Sequence, residues 1–319
     1  MLELQWKAFA RYLASTSYPI LCGSWRSEVG FELLYWIPFL QQFRLQYKIP
    51  KDRLIAIGRG GSACWYDMAG QADLYERMPL DEARTLSVMA SQQTGSMKQQ
   101  RVEPWERAVC QLTANGLGIK KYHTISPSWM YGLLKPFWEG KTSQRWLNDR
   151  LAHAVTMPAP KTDLPLPQDF IAMRWYARPT WPMKEDLVLW MRQYTERIAK
   201  QHPVVIIDSF HADDHADMHL GSIPNCVRLS ELTEMTPLNN LAIQSSVIAR
   251  AKAYVGTYGG MSQGAMRWGV PTLALYDTFG QTAPEHLSLT QHLSLRTGVP
   301  FIACTPKQAD GAFPMLLGR

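Results

Sequence analysis

Past residue 169, short apolar runs and segments of helical period take turns along the chain, and that alternation limits the fold more than any other feature of the sequence. Phe170-Ile171-Ala172-Met173 and Val204-Val205-Ile206-Ile207-Asp208 are strand-like runs. Between them, Glu185 to Lys200 repeats with helical period and places Leu187, Trp190, Met191, Tyr194 and Ile198 on one face. A second helix is expected from Thr236-Pro237, a Thr cap followed by Pro in the first turn, to about Ala251. Ala253-Tyr254-Val255-Gly256, a glycine turn, a helix over Ser262 to Trp268 and the run Pro271-Thr272-Leu273-Ala274-Leu275-Tyr276 complete the series. Strands that alternate with helices pair in parallel, and a continuous apolar strand is buried on both faces.

The first half repeats this theme less regularly. Tyr18-Pro19-Ile20-Leu21-Cys22 and Arg53-Leu54-Ile55-Ala56-Ile57-Gly58 read as parallel strands, each running into a glycine-containing turn. Phe31 to Phe43 is a helix candidate, started or kinked at Pro38. Four prolines between Met157 and Pro167 can continue neither a helix nor a central strand, so this stretch reads as a linker. The expected fold class is α/β: two Rossmann-like domains with parallel sheets, facing an interdomain cleft, over residues 1–156 and 169–319, with a Pro-rich linker at 157–168.

Composition narrows the function classes. Hydrophobic residues are 46% and charged residues 19%, values of a globular chain, and no apolar run approaches the ~20 residues of a membrane-spanning helix. Five scattered cysteines without a CxxC pair fit reduced thiols in a cytoplasm better than a disulfide framework or a zinc site. A net charge of +6 without any Lys/Arg block argues against nucleic acid as a partner, while suiting a phosphorylated substrate or a peripheral contact with an anionic membrane face. The twelve tryptophans are expected mostly in cores.

The sharpest local signal is Val255-Gly256-Thr257-Tyr258-Gly259-Gly260-Met261-Ser262-Gln263, a strand-to-helix turn. Glycines let a ligand approach the backbone, and the free N–H groups and dipole of a helix start favour phosphate there. Thr257 and Ser262 could add hydroxyls beside Tyr258, Gly259 and Gly260. The pattern is neither GxGxxG nor a P-loop, so neither NAD nor ATP hydrolysis is implied. In Gly23-Ser24-Trp25-Arg26-Ser27-Glu28-Val29-Gly30-Phe31-Glu32, an acid at a strand end can take a proton from an attacking hydroxyl. Glu28 is the first candidate base and Glu32 the second; Glu28 as a plain helix N-terminal acid fits equally well. Arg174, at the end of a strand, can offset the charge of a departing pyrophosphate. Arg26 and Arg59 are further cleft candidates; Arg174 and Arg59 each read alternatively as surface ion-pair partners, which for Arg59 is the better reading. His211, His215 and His219 have i, i+4, i+8 spacing among three carboxylates, but the segment follows a strand and ends at Gly221. It therefore reads as a loop in which Asp213, Asp214 and His215 could meet sugar hydroxyls, and no metal is expected.

The stretch from Leu238-Asn239-Asn240-Leu241-Ala242 through Tyr254-Val255-Gly256-Thr257-Tyr258-Gly259-Gly260 to Gly269-Val270-Pro271-Thr272-Leu273 resembles the donor half of GT-B glycosyltransferases of bacterial polysaccharide biosynthesis, and more distantly the lipopolysaccharide heptosyltransferases. Where the heptosyltransferases have Asp-Thr-Gly followed by His, this chain has Tyr258-Gly259-Gly260 and no His. Glu28-Val29-Gly30-Phe31-Glu32 through Pro38 resembles their Gly-Asp…Pro segment, whose acid is the base, and Glu28 stands in the matching place. Arg174 matches a basic residue that contacts donor phosphates. The resemblance implies a GT-B-like protein, with residues 1–156 as the acceptor domain and 169–319 as the nucleotide-sugar donor domain. It further implies inverting transfer without a metal or cofactor, from a nucleotide-sugar donor to a glycan or lipid-linked acceptor. A nonhydrolysing sugar-nucleotide 2-epimerase shares the two-domain plan, and a catalytically inactive GT-B-like scaffold is the non-enzymatic alternative.

Overall fold

β1 (Ile20–Gly23), β2 (Leu54–Gly58), β3 (Gly70–Asp73) and β4 (His123–Ile125) form an all-parallel sheet in the order β3-β2-β1-β4. The computed structural model describes residues 1–68, 70–94, 98–153, 156–161, 163–178, 181–209 and 216–318. Contacts divide the chain into two units, Met1–Ala154 and Val155–Arg319.

In the first unit, the register pairs Ile20 with both Leu54 and His123, and Ile55 with Gly70. β1 and β2 follow the apolar runs read from the sequence. β3 and β4 do not announce themselves: Gly70-Gln71-Ala72-Asp73 has no apolar run, and as an edge strand it needs none. One face of the sheet packs Leu21, Ile55, Ile57 and Leu74 against Val109, Cys110 and Ala114 of the helix Pro104–Gly116. A large aromatic cluster fills another part of the unit, with Trp25 and Trp36 stacked at 5.9 Å and Trp6 against Phe39 and Phe43.

The helix expected over Phe31 to Phe43 is longer and compound. It begins at Val29–Phe31, widens into one π-helical turn at Glu32–Trp36, and continues as an α-helix over Ile37–Gln46. The wide turn closes with the Ile37 N–H donating to the Glu32 carbonyl. Pro38 has no N–H to give the preceding turn. The Leu34 carbonyl there accepts instead from His153 Nε2 at 3.0 Å.

In the second unit, β5 (Ile171–Arg174), β7 (Val204–Ile206), β9 (Cys226–Arg228), β10 (Ala253–Thr257), β11 (Thr272–Leu275) and β12 (Phe301–Cys304) form a six-stranded parallel sheet. Its order is β12-β11-β10-β5-β7-β9, and β6 (Tyr176–Ala177) pairs with β8 (Ala216–Asp217) as a small antiparallel ribbon. Helices Glu185–Ala199 and Pro306–Leu316 pack Leu187, Met191, Tyr194, Ala309 and Phe313 onto one face of the sheet. The helix read from Thr236 begins only at Asn240, because the Asn239 side chain accepts from the Thr236 N–H at 2.7 Å and closes a turn first. The Pro-rich stretch lies on the second unit, where Met157 N–H donates to the Arg267 carbonyl and Arg250 reaches the Leu164 carbonyl.

The strand order of each parallel sheet switches sides once. From β1 the chain passes to β2 and β3 on one side and β4 on the other; from β5 it passes to β7 and β9 on one side and to β10, β11 and β12 on the other. In parallel α/β sheets such a switch point opens a crevice at the carboxyl ends of the two strands. Arg174 and Thr257 are the last residues of β5 and β10, and the segment Ser24–Glu28 leaves the end of β1.

Candidate functional site

In the second unit, Arg174, Thr257, Tyr258, Gly259, Gly260 and Ser262 come together at the carboxyl ends of β5 and β10. Gly256 pairs with Arg174 in register, and a Cβ there would stand 2.2 Å from the Arg174 carbonyl oxygen. The two strands need a glycine at that point to run side by side. Both candidate hydroxyls build the turn itself. Thr257 donates to the Tyr176 carbonyl and accepts from its N–H, each at 3.2 Å. Ser262 donates to the Gly259 carbonyl at 2.8 Å and accepts from its N–H at 3.0 Å. The helix Gly260–Arg267 then starts with N–H groups for which its own geometry supplies no acceptor. Tyr258 is buried, and desolvation pushes its hydroxyl up to about 12, so it stays protonated near neutrality.

Two side chains lie over this turn. A Cβ at Gly259 would be 2.2 Å from the Tyr176 hydroxyl and 2.3 Å from Arg178 Nη1. Arg178 is half-buried, and its Nη1 also reaches the Tyr258 carbonyl at 3.4 Å. Arg174 is set deeper, only 3% exposed. Its guanidinium donates to Gln244, faces Asp217 Oδ1 at 3.7 Å, and lies 5.3 Å from the Tyr176 ring centre. Gln244 in turn donates to Asn240 Oδ1 at 2.7 Å. Arg174 therefore forms the wall behind the turn, and Arg178 is the cation nearer its surface.

Beside this wall, a cavity of about 260 Å³ opens at the ends of β7 and β9. Trp175, Ile206 and Val227 line its apolar part, and Asp208, Asp217 and Arg228 its polar part. Asp208 accepts from the Ser230 N–H at 3.0 Å and from the Ser230 hydroxyl. His211, Asp213, Asp214 and His215 lie outside the described residues. His219 is exposed, with its Nδ1 3.1 Å from Arg228 Nη1.

In the first unit the segment after β1 is pinned at almost every residue. Trp25 N–H donates to the Ile57 carbonyl at 2.9 Å. Gln99 accepts from the Arg26 N–H and donates to the Ser24 carbonyl, both at 2.9 Å, and also donates to Glu106 at 2.8 Å. Ser126, after β4, gives Glu106 a second hydrogen bond at 2.9 Å. Arg59 donates to the Ser27 carbonyl, and the Ser27 and Tyr131 hydroxyls are 2.8 Å apart. Glu28 follows, half-buried at the start of the compound helix. Arg26 is buried with its guanidinium 5.0 Å from the Trp105 ring centre.

Glu32 and Glu28 differ in kind. Glu32 is fully buried and accepts from the Ser62 hydroxyl at 2.9 Å and the Tyr66 hydroxyl at 2.8 Å. Desolvation pushes it up to about 7 against the pull of the Arg59 charge. Desolvation likewise raises Glu106 to about 7 and Asp73 to about 6. The Asp73 carboxylate accepts from the Gly61 N–H at 2.7 Å and the Tyr75 N–H at 2.9 Å, so it fills the glycine turn after β2 from within.

Sequence reasoning missed Arg178, Tyr176, Gln99 and Glu106. Arg174, Tyr176 and Arg178 stand at alternate positions, which is the strand period and a usable signal. Glu106 reads from sequence as an ordinary acid in the first turn of a helix, and only the fold reveals its burial.

No family model matches the chain, and no curated protein matches it by sequence. Two solved structures similar to it are E. coli heptosyltransferase WaaC with ADP and E. coli ADP-heptose lps heptosyltransferase II. The first is 12% identical, with 93% of this chain and 99% of that one covered and a TM-score of 0.48. The second is 15% identical, with 94% and 98% covered and a TM-score of 0.49. A third, dodecameric iron-containing heptosyltransferase TibC in complex with ADP-D-beta-D-heptose, is 10% identical over 82% of this chain and 59% of that one, at a TM-score of 0.39. The iron in that structure overturns the expectation that a protein of this kind works without a metal. Among the described residues, no group of three His, Cys, Asp or Glu is arranged to hold one. Among the same residues no helix is long and apolar enough to cross a membrane. At the level of fold, each of the two units of the chain is a Rossmann-like α/β unit built on a parallel sheet.

Proposed function

We propose that this protein is a glycosyltransferase that moves a sugar from a nucleoside-diphosphate donor to a hydroxyl of a glycan or lipid-linked acceptor. The observation that carries this reading is the turn at Tyr258–Gly260, where a helix start at a sheet switch point is overlaid by Arg178 and the Tyr176 hydroxyl. Backbone N–H groups, a helix dipole and a guanidinium converge there, a combination suited to a diphosphate. The neighbouring cavity takes the nucleoside, with Asp208 as an acceptor for ribose hydroxyls. In the first unit, Glu28 takes the proton of the acceptor hydroxyl. The freed oxygen bonds to the anomeric carbon in a single displacement with inversion, as the bond to the diphosphate oxygen breaks. Arg178, the helix amides and the deeper Arg174 hold the charge that develops on the leaving group. A lipid-linked acceptor brings the chain to a membrane surface, to which its net charge of +6 is suited.

A thermal-shift screen over nucleoside diphosphates tests the first half of this reading, because a ligand that binds only the native state raises the Tm. One base class is expected to stand out. The matching sugar nucleotide is then incubated with and without candidate acceptors, and the products are followed by NMR. No shift with any nucleoside diphosphate removes the donor site. Conversion of the sugar nucleotide to an epimer without acceptor makes the protein an isomerase instead.

A further inference from the structure

The segment Ser24–Glu28 has a charged support behind it that the proposed reaction does not use. Arg59, at the turn after β2, donates to the Ser27 carbonyl, one residue before Glu28. The Glu32 carboxyl is fully buried, within range of the charge of the Arg59 guanidinium. Glu32 is placed there by the single π-helical turn that begins at its own position. Such a turn adds a residue to the helical circuit and commonly marks a functional position. Its hydrogen bonds from Ser62 and Tyr66 fix the carboxyl but leave it fully buried, so it is not available to touch an acceptor. The same Ser62 hydroxyl accepts from the Arg59 N–H at 3.1 Å and donates to Glu32, which links the Arg59 backbone to the carboxyl.

We propose that Glu32 is a positioning residue: through Arg59 it clamps the Ser27 carbonyl and so sets the place of Glu28. The inference rests on the reading of Glu28 as the base, and it assigns Glu32 a role other than proton transfer. A buried carboxylate is costly to the fold, since burial has raised it to about 7. The charged form thus strains the fold as a whole while tightening one local contact. Arg59, Asp73, Tyr66, Cys64 and Tyr131 are the charged or titratable groups that face Glu32 from the surrounding elements. Of these only Arg59 is a cation, and it is the one that reaches the segment.

The two effects of the charge have opposite signs, and that separates a clamp from a merely structural residue. Glu32→Gln keeps the size and an acceptor for Ser62 and Tyr66 but removes the charge. At pH 8 its amides at 27–29 are expected to exchange hydrogen about tenfold faster than in the parent, the order set by one lost charge-assisted contact, while the Tm stays equal or rises. Arg59→Gln, which cuts the link from its half-buried end, is expected to give the same local acceleration and serves if Glu32→Gln does not fold. In the parent, protection at 27–29 relative to intrinsic exchange falls as the pH drops through about 7, and in Glu32→Gln it is flat. Unchanged protection at 27–29 in both variants overturns the proposal, as does acceleration spread through the first unit with a lower Tm. Glu28→Gln runs alongside: transfer at the parental rate defeats the base assignment alone, because the clamp is read by exchange and not by turnover.

Discussion

Arg178 lies directly over Gly259, where a methyl group would stand 2.3 Å from its Nη1. This contact and the one with the Tyr176 hydroxyl at 2.2 Å are with side-chain ends and not with backbone, so Gly259→Ala is expected to fold. The arginine and Tyr176 would be displaced from the turn in doing so. Nucleoside-diphosphate affinity should fall about tenfold, the loss of roughly one charge-assisted contact, as read by calorimetric titration.

Gly256 gives the contrasting case. Its missing Cβ would meet the Arg174 carbonyl oxygen at 2.2 Å, and a backbone atom in a central strand cannot move aside cheaply. Gly256→Ala should lower the unfolding free energy by about 3 kcal/mol, measured by urea denaturation. If it unfolds at the parental midpoint, the close pairing of β5 and β10 is wrong.

The two arginines at the donor turn should separate in the same way. Arg178→Met is expected to weaken diphosphate binding about tenfold or more and to leave the Tm near the parental value, since the side chain is half-buried and exposed ion contacts contribute little to stability. Arg174→Met leaves Gln244 and Asp217 without their buried partner and should cost about 2 kcal/mol of stability. Calorimetric titration and melting curves on the two variants distinguish the ligand contact from the wall.

Much of this geometry is legible in the sequence where local chemistry decides it. Val204-Val205-Ile206 and Thr272-Leu273-Ala274-Leu275 are strands because β-branched and apolar runs bounded by turns have few other uses, and the glycines at 256, 259 and 260 mark the turn that follows β10. The helix read over 236–251 starts instead at Asn240, because an Asn side chain competes with the helix for the Thr236 N–H, a choice made at 2.7 Å that composition does not record. In the sequence Glu28 is the first candidate base and Glu32 the second, four residues apart, and nothing local says that one of them is interior. A single π-helical turn at Glu32 and the side chains of Ser62 and Tyr66, some thirty residues on, make one a half-buried acid at a strand end and the other an interior one. Long-range partners of that kind are invisible to periodicity. So is Gln99, which holds Ser24 and Arg26 from 75 and 73 residues away.

The buried acids give the protein a pH dependence of definite sign. Glu32 and Glu106 titrate near 4.5 when solvated and near 7 in the fold, and Asp73 near 3.8 and near 6. Groups whose folded pKa is raised stabilise the native state below the unfolded value, and that contribution is lost as the pH rises through the folded value. The Tm should therefore fall between pH 5 and pH 8 when ionic strength is held fixed. Each of the two glutamates accounts for on the order of 3 kcal/mol across the window. Glu32→Gln and Glu106→Gln should each flatten the curve, and a parental Tm that rises across this window would show that other titrations dominate.

Glu28 carries the chemical half of the proposal. It sits at the end of the pinned segment, half-buried, with its backbone ahead of a helix start and its neighbour Ser27 held by Arg59 and Tyr131. A base in that position contributes to the barrier only when the acceptor hydroxyl is attacking, so its removal should leave donor binding intact. Glu28→Gln is expected to bind the selected nucleoside diphosphate with the parental Kd and to lose about 10²- to 10⁴-fold in kcat. Glu28→Asp keeps the carboxylate but draws it back by one methylene, and should recover part of that loss without changing the Kd. An acid that serves only the helix start predicts a different pair of results: a lower Tm for Glu28→Gln by the small amount a helix-dipole contact contributes, and turnover at the parental rate. Steady-state kinetics and melting curves on the same two variants decide between them.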